Sequence, residues 1–357
     1  MTADRSSGPA LAVVGATGAV GSVLLQILSQ RADVWGDIRL IASARSAGRM
    51  LAVRAEETEV LALTEDAFDG LGVGDVALFL TPAEVSARWA PVVTARGVVV
   101  VDQSAAFRED PEVPLVVPEI NGHAVRIRPR GIVAAPDTVT AAMIASLGAL
   151  HAEYSLCELA VSTYQAASAA GRAGTEVLRR QLSLVAGTSL GEQTGDVRRA
   201  VGDDTGPFEA PLALNVVPWS GELRADGWSS HELAVRAETR RILDLPELPV
   251  AVTCVQVPVV TGHSLTVRAR FENEVEAAHA REILEAAPGV VLVDDPEAGE
   301  FPTPSDAAGT DPAWVGRVRV SLDDRRSLEF FVCADNLRKG AALNATQIAE
   351  LIAGEFA

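Results

Sequence analysis

Two stretches carry residues whose types and spacing suit chemistry. In Gly131-Ile132-Val133-Ala134-Ala135-Pro136-Asp137-Thr138-Val139-Thr140-Ala141-Ala142-Met143, a short apolar run meets a proline-containing turn, and an alanine-rich helix leaves it. Such a turn holds its apex side chain over the carboxyl end of a sheet. Free N–H groups of the helix N-terminus favour an anion or a nucleophile there. The apex residue is Thr138. The second stretch, Gly15-Ala16-Thr17-Gly18-Ala19-Val20-Gly21, lies between the apolar run Leu11-Ala12-Val13-Val14 and an apolar helical pattern from Val23 to Leu28. Strand, glycine turn and helix fit a phosphate-binding βα turn, with Gly15, Thr17, Gly18, Ala19 and Val20 around a pyrophosphate. An ordinary βα turn gives the same glycine spacing.

The elements that must position these residues read as an α/β chain. Ile38-Arg39-Leu40-Ile41-Ala42 is a second parallel strand. It ends in Ser43-Ala44-Arg45-Ser46, with no carboxylate for a ribose 2′-hydroxyl. Ser43, Arg45 and Ser46 suit a 2′-phosphate instead, which selects NADP over NAD; a solvated loop cation is the other reading of Arg45. Val76–Leu80 and Gly97–Val101, by number 76–80 and 97–101, continue the parallel sheet around a helix at 85–95. Arg108 follows the second of them as a candidate anion contact or an ordinary surface arginine. After 143 the texture changes. Strands at 156–164, 250–258 and 264–270 alternate, which suits a sheet with one packed and one wetter face. A helix runs from about 171 to 185, residues 187–230 read as irregular, and helices follow at about 231–243 and 274–286. Further strands lie near 290–293, 315–321 and 328–333, and an amphipathic helix closes the chain at about 342–353. Residues 1–9 read as a loose terminus.

A chain of 357 residues with 48% apolar and 22% charged residues has enough apolar surface for two cores. Its net charge of −18 argues against nucleic acid and anionic membranes as partners. Cys157, Cys254 and Cys333 lie in apolar runs without paired or ligand spacing, as buried thiols of a reducing compartment do. No His/Cys/Asp cluster has metal-ligand spacing, so no metal is expected. No apolar run reaches bilayer length and no signal-peptide pattern opens the chain, so a cytoplasmic location is expected.

The ordered motifs resemble the aspartate-semialdehyde dehydrogenase family over essentially the whole chain. They are the Gly15–Gly21 turn, here residues 15–21, Ser43-Ala44-Arg45-Ser46-Ala47-Gly48, Val117-Pro118-Glu119-Ile120-Asn121, Ser162-Thr163-Tyr164-Gln165-Ala166, Asn215-Val216-Val217-Pro218, Gly262-His263-Ser264 and Ala334-Asp335-Asn336-Leu337-Arg338-Lys339-Gly340-Ala341-Ala342-Leu343-Asn344. The resemblance implies an N-terminal NAD(P)-binding Rossmann domain over 1–138. An α+β substrate and dimerisation domain over 139–335 and a C-terminal helix at 336–357 returning to the first domain complete the expectation. It implies a homodimer, with a tetramer possible, and NADPH reduction of an aspartyl phosphate through a cysteine thioester. By position, the catalytic residues are Thr138 in the place of that cysteine, Gln165 and His263. Substrate contacts fall on Arg108, Gln256, Glu232 and His231, and further cofactor contacts on Ser168 and Asn344.

The departures from the family cluster at the site. Thr138 replaces the thiol, and Asp137 an asparagine beside it. Ala234 and Gln256 replace a lysine and an arginine, and Leu80-Thr81-Pro82-Ala83 replaces a small-residue turn at the nicotinamide. A hydroxyl needs a base to act as a nucleophile, whereas a thiol is already partly ionised at neutral pH. Losing two charge-assisted contacts costs roughly 3–6 kcal/mol, on the order of 10²–10⁴ in affinity. The expectation is therefore a paralog without NADP-dependent aspartyl phosphate reduction. The alternatives are an NADP-dependent oxidoreductase or acyl-transfer enzyme of altered substrate using Thr138 and His263, and a working aspartate-semialdehyde dehydrogenase of amino-acid biosynthesis.

Overall fold

The computed structural model describes residues 8–31 and 34–356. The loose terminus expected over 1–9 falls mainly outside them. The chain divides into two compact units. One comprises residues 1–137 with 341–357, and the other Thr138–Gly340.

The first unit is built on strands β1 (Leu11–Val14), β2 (Ile38–Ala42), β3 (Met50–Val53), β4 (Glu56–Ala62), β5 (Val76–Phe79), β6 (Val99–Asp102) and β7 (Ile132–Ala134). Their order across the sheet is β3-β4-β2-β1-β5-β6-β7, parallel except for the β3–β4 hairpin. Every residue of β1, β5 and β6 is buried. Continuous apolar runs are what a strand covered on both faces requires. Chain order reverses at β1, which has β2 on one side and β5 on the other, so the crevice at its carboxyl end is the place for a ligand. The helix Asn344–Ala353 packs its buried Ile348, Ala349 and Ile352 into the same apolar core as Leu11, Val13, Leu78 and Val101. The β3–β4 hairpin was not apparent in the sequence. Only Val53 and Val60 of its eleven residues are buried, so it lacks the apolar run that marks the other strands.

The second unit holds β8 (Leu156–Gln165), β9 (Val250–Gln256), β10 (His263–Phe271), β11 (Val290–Leu292), β12 (Ala313–Val320) and β13 (Ser327–Ala334), in the order β11-β12-β13-β10-β8-β9. The sheet is mixed: β8 pairs parallel with β9 and antiparallel with β10. Helix Thr138–Tyr154 lies on one face, and its residues from Val139 to Leu147 are all buried. The strands alternate accordingly. Leu159, Val161, Leu265, Val267, Val250 and Val252 are buried, whereas Thr253, Thr266 and Arg268 are exposed on the other face. The stretch 187–230, read from sequence as irregular, contains a short α-helix, Asp196–Val201, and a 3₁₀ turn at Ala225–Gly227. The architecture is thus a Rossmann-type parallel sheet followed by an α+β unit, the expected fold class.

Candidate active site

In the first unit the glycine turn has the shape that its spacing requires. Gly15 has φ +95°, and a Cβ there would lie 2.4 Å from the Leu80 carbonyl oxygen. A Cβ at Gly21 would lie 2.4 Å from the Gly15 oxygen and 2.6 Å from the Ala16 oxygen, so helix and turn touch through backbone alone. Gly18 occupies the N-cap position of helix Ala19–Gln30 and contributes no side-chain cap. The first N–H groups of that helix, from Ala19 and Val20 on, therefore suit a phosphate. Thr17 Oγ1 donates to Ser46 Oγ at 3.4 Å, which joins the glycine turn to the segment after β2. Ser43 and Arg45 are exposed on that segment. Asn344 is buried and donates to the Val116 carbonyl at 3.4 Å. Pro82 precedes helix Ala83–Thr94 as its N-cap, where a missing N–H costs the helix nothing.

Arg108 and Asp137 also belong to this unit. Arg108 donates from Nε to the Ala135 carbonyl at 2.9 Å and from a terminal nitrogen to the Gln103 carbonyl at 2.7 Å. Its other terminal nitrogen lies 3.5 Å from Asp137 Oδ2. The carboxylate of Asp137 therefore points at a cation of its own unit. Nearby Asp102 is fully buried and accepts from the Ser104 hydroxyl. Burial raises its pKa, against the lowering by the Ser86 and Ser104 hydroxyls and the Arg108 charge.

In the second unit the sheet brings Gln165, the last residue of β8, beside His263, the first of β10. Gly262 turns the chain into β10 with φ +101°, where a Cβ would lie 3.1 Å from the Pro304 carbonyl oxygen. His263 is fully buried. The Ala166 N–H donates to its Nδ1 at 3.1 Å, and its Nε2 lies 3.2 Å from Thr138 Oγ1. An Nδ1 that accepts carries no proton, so a neutral ring holds its proton on Nε2 and donates it to the threonine hydroxyl. Gly340 packs behind the turn: a Cβ there would lie 3.0 Å from that of Thr138.

Gln165 is fully buried with both ends of its carboxamide engaged. Its Nε2 donates to Thr163 Oγ1 at 3.3 Å, and its Oε1 accepts from Ser220 Oγ at 2.8 Å. Ser220 was missed by sequence reasoning. It lies in the irregular stretch, brought there by the bridge between Val217 and Gln256, and no local pattern marks it. His231 Nδ1 lies 3.3 Å from the same hydroxyl. Glu232 closes a capping box with Ser229 and accepts from the Cys254 N–H, so both its oxygens hold backbone. Gln256 Oε1 is buried without a hydrogen-bond partner. Ser168 Oγ and the Gly262 N–H both donate to Asn336 Oδ1 at 3.0 Å, which ties the His263 turn to the segment after β13. Asn336 is a second residue that the sequence alone did not single out for this role.

Burial pushes Cys333 up to about 12 and raises Cys157, which is half-buried rather than buried as expected. Among the described residues, no group of three or more His, Cys, Asp or Glu is placed to hold a metal.

Comparison with known proteins gives the family. The family model "Semialdehyde dehydrogenase, NAD binding domain" matches residues 10–127, and "Semialdehyde dehydrogenase, dimerisation domain" matches residues 147–339. The aspartate-semialdehyde dehydrogenase of Corynebacterium melassecola is 44% identical over 346 residues, covering 96% of this chain and 98% of its own. The chain belongs to the aspartate-semialdehyde dehydrogenase family. Its similarity extends to the Aquifex aeolicus member, 38% identical over 98% of this chain and 99% of the relative. The crystal structure of aspartate semialdehyde dehydrogenase II from Vibrio cholerae, complexed with ASA, superposes with a TM-score of 0.90 at 33% identity, covering 99% of this chain and all of that one.

Proposed function

We propose that this family member binds an NADP-type dinucleotide and takes an aldehyde or acyl group at Thr138 and His263 without forming a covalent acyl-enzyme. On this reading it does not reduce aspartyl phosphate at ordinary enzymatic rates. The observation that carries the proposal is the Ala166 N–H on His263 Nδ1. The imidazole thereby presents a proton to Thr138 Oγ1, whereas activating a hydroxyl requires a lone pair. The hydroxyl is left to donate its own proton to a carbonyl oxygen, and His263 strengthens that donor. Gln165, locked by Ser220 and Thr163, offers no rotation at small cost. The glycine turn and the helix at Ala19 fit a pyrophosphate, and Ser43, Arg45 and Ser46 suit a 2′-phosphate. NADP supplies hydride transfer when bound.

A working aspartate-semialdehyde dehydrogenase is the second reading. It is favoured by the 44% identity to a protein of that name over nearly the full length, and by the retained Gln165 and His263. It requires the His263 ring to give up the Ala166 contact and present Nε2 as a base. One assay separates the two. Purified protein is mixed with aspartate semialdehyde, phosphate and NADP, and NADPH is followed by fluorescence, with NADP binding measured by calorimetry. Turnover on the order of 1–10³ per second establishes the second reading. Dinucleotide binding without that turnover supports the first.

The open face of the second sheet, with Ala251, Thr253, Thr266, Arg268 and Phe331 along it, is proposed as a homodimer surface; the match to a dimerisation domain supports it. Two such dimers would make the tetramer that the sequence left open. Three free cysteines suit a reducing compartment, and the cytoplasm is the proposed location. Among the described residues, no helix is long and apolar enough to cross a membrane.

A further inference from the structure

Arg108 would be the obvious receptor for an oxyanion in the first unit, because it follows β6 at the carboxyl edge of a parallel sheet. A guanidinium recognises phosphate or carboxylate best through two parallel N–H groups on one open edge. Here each of its three nitrogens is engaged. Nε is on the Ala135 carbonyl, one terminal nitrogen is on the Gln103 carbonyl, and the other faces the Asp137 carboxylate at 3.5 Å. The pair is withdrawn from solvent, with side-chain exposures of 11% for Arg108 and 12% for Asp137. Gln103 is itself fixed, its Nε2 donating to the Pro136 carbonyl at 3.1 Å. The β6 end and the segment 135–137 thus hold the guanidinium and supply its counter-charge.

We propose that Asp137 is a resident counter-ion that closes Arg108 to phosphate, and that it thereby confines this protein to substrates without a phosphoryl group, namely aldehydes or uncharged acyl compounds. The inference rests on the proposed reading of the Thr138–His263 site and names its substrate class. Two physical effects act together. An incoming oxyanion must displace a carboxylate that is covalently in place, so it competes against a high effective concentration. It also meets a like charge at a few ångströms in a partly desolvated setting, where such repulsion is weakly screened.

The test is calorimetric titration with inorganic phosphate of the intact protein, Asp137→Asn, Asp137→Glu and the double variant Arg108→Met/Asp137→Asn. The expected result is tighter phosphate binding by Asp137→Asn than by the wild type, by about 10- to 100-fold, the worth of one charge-assisted hydrogen bond. Asp137→Glu, which keeps the charge, stays closed, and the double variant loses the gain. Asp137→Ser serves the same comparison should the asparagine variant not fold. Equal phosphate affinity in the wild type and Asp137→Asn overturns the proposal, as does a gain that survives the loss of Arg108. Wild-type phosphate binding through Arg108 without turnover defeats this inference alone, whereas phosphate-dependent turnover of aspartate semialdehyde defeats the functional reading beneath it.

Discussion

Replacing Thr138 by cysteine tests the hydrogen bond on which the functional reading depends. The new Sγ would stand near the position of Oγ1, 3.2 Å from His263 Nε2. With Nδ1 held by the Ala166 N–H, Nε2 donates to the sulfur and favours the thiolate. A charge-assisted hydrogen bond is worth roughly 1.5–3 kcal/mol, and one pKa unit corresponds to about 1.4 kcal/mol. The thiol of Thr138→Cys should therefore titrate about 1–2 units below the free value of about 8.5, in the range of about 6.5–7.5. The measurement is the pH dependence of iodoacetamide alkylation, read at this peptide by mass spectrometry. The native thiols give little background, because burial holds Cys333 at about 12 and raises Cys157. His263→Gln in the same background should lose at least half of the shift. An alkylation midpoint at or above the free value of about 8.5 would refute the donor assignment. So would a midpoint that ignores the loss of His263.

Three further outcomes follow from the geometry. Gly21→Ala drives a Cβ to 2.4 Å from the Gly15 oxygen, which should lower stability by about 1–3 kcal/mol and weaken NADPH binding, read by thermal unfolding and by cofactor fluorescence. Burial raises the pKa of Asp102 in the folded state, so its contribution to stability is most favourable below the ordinary carboxylate range and declines as pH rises through the folded pKa. In urea unfolding, Asp102→Asn should accordingly gain on the wild type as pH increases from about 4 to 7, and a constant difference would count against the linkage. Thr266→Glu places a charge in the middle of the open face of the second sheet and should shift a dimer toward monomer by light scattering; an unchanged mass would locate the interface elsewhere.

The buried parallel strands were legible because each is a continuous apolar run, and the run is itself the condition for covering both faces. Leu11–Val14 and Val76–Phe79 are examples. The β3–β4 hairpin was not legible. Glu56, Glu57 and Glu59 are held as strand by pairing with Val53, Ala52 and Met50, and pairing leaves no apolar trace. The site divides in the same way. Gly15, Gly18 and Gly21 could be recognised because their lack of a Cβ is a local requirement of the turn. Ser220 and Asn336 could not, since each acts on a residue more than fifty positions away.

By itself the sequence determined the two-part α/β architecture, the glycine turn and the absence of a thiol at position 138. Those are properties of composition and near neighbours. Only the tertiary structure decided what the remaining groups do. It put the Ala166 N–H on His263 Nδ1, which makes the ring a donor to Thr138. It also turned Asp137 onto Arg108, a partner that no spacing along the chain marks. A side chain's direction and its partner across the fold set its protonation and its charge balance, and neither is written in the spacing of residues along the chain.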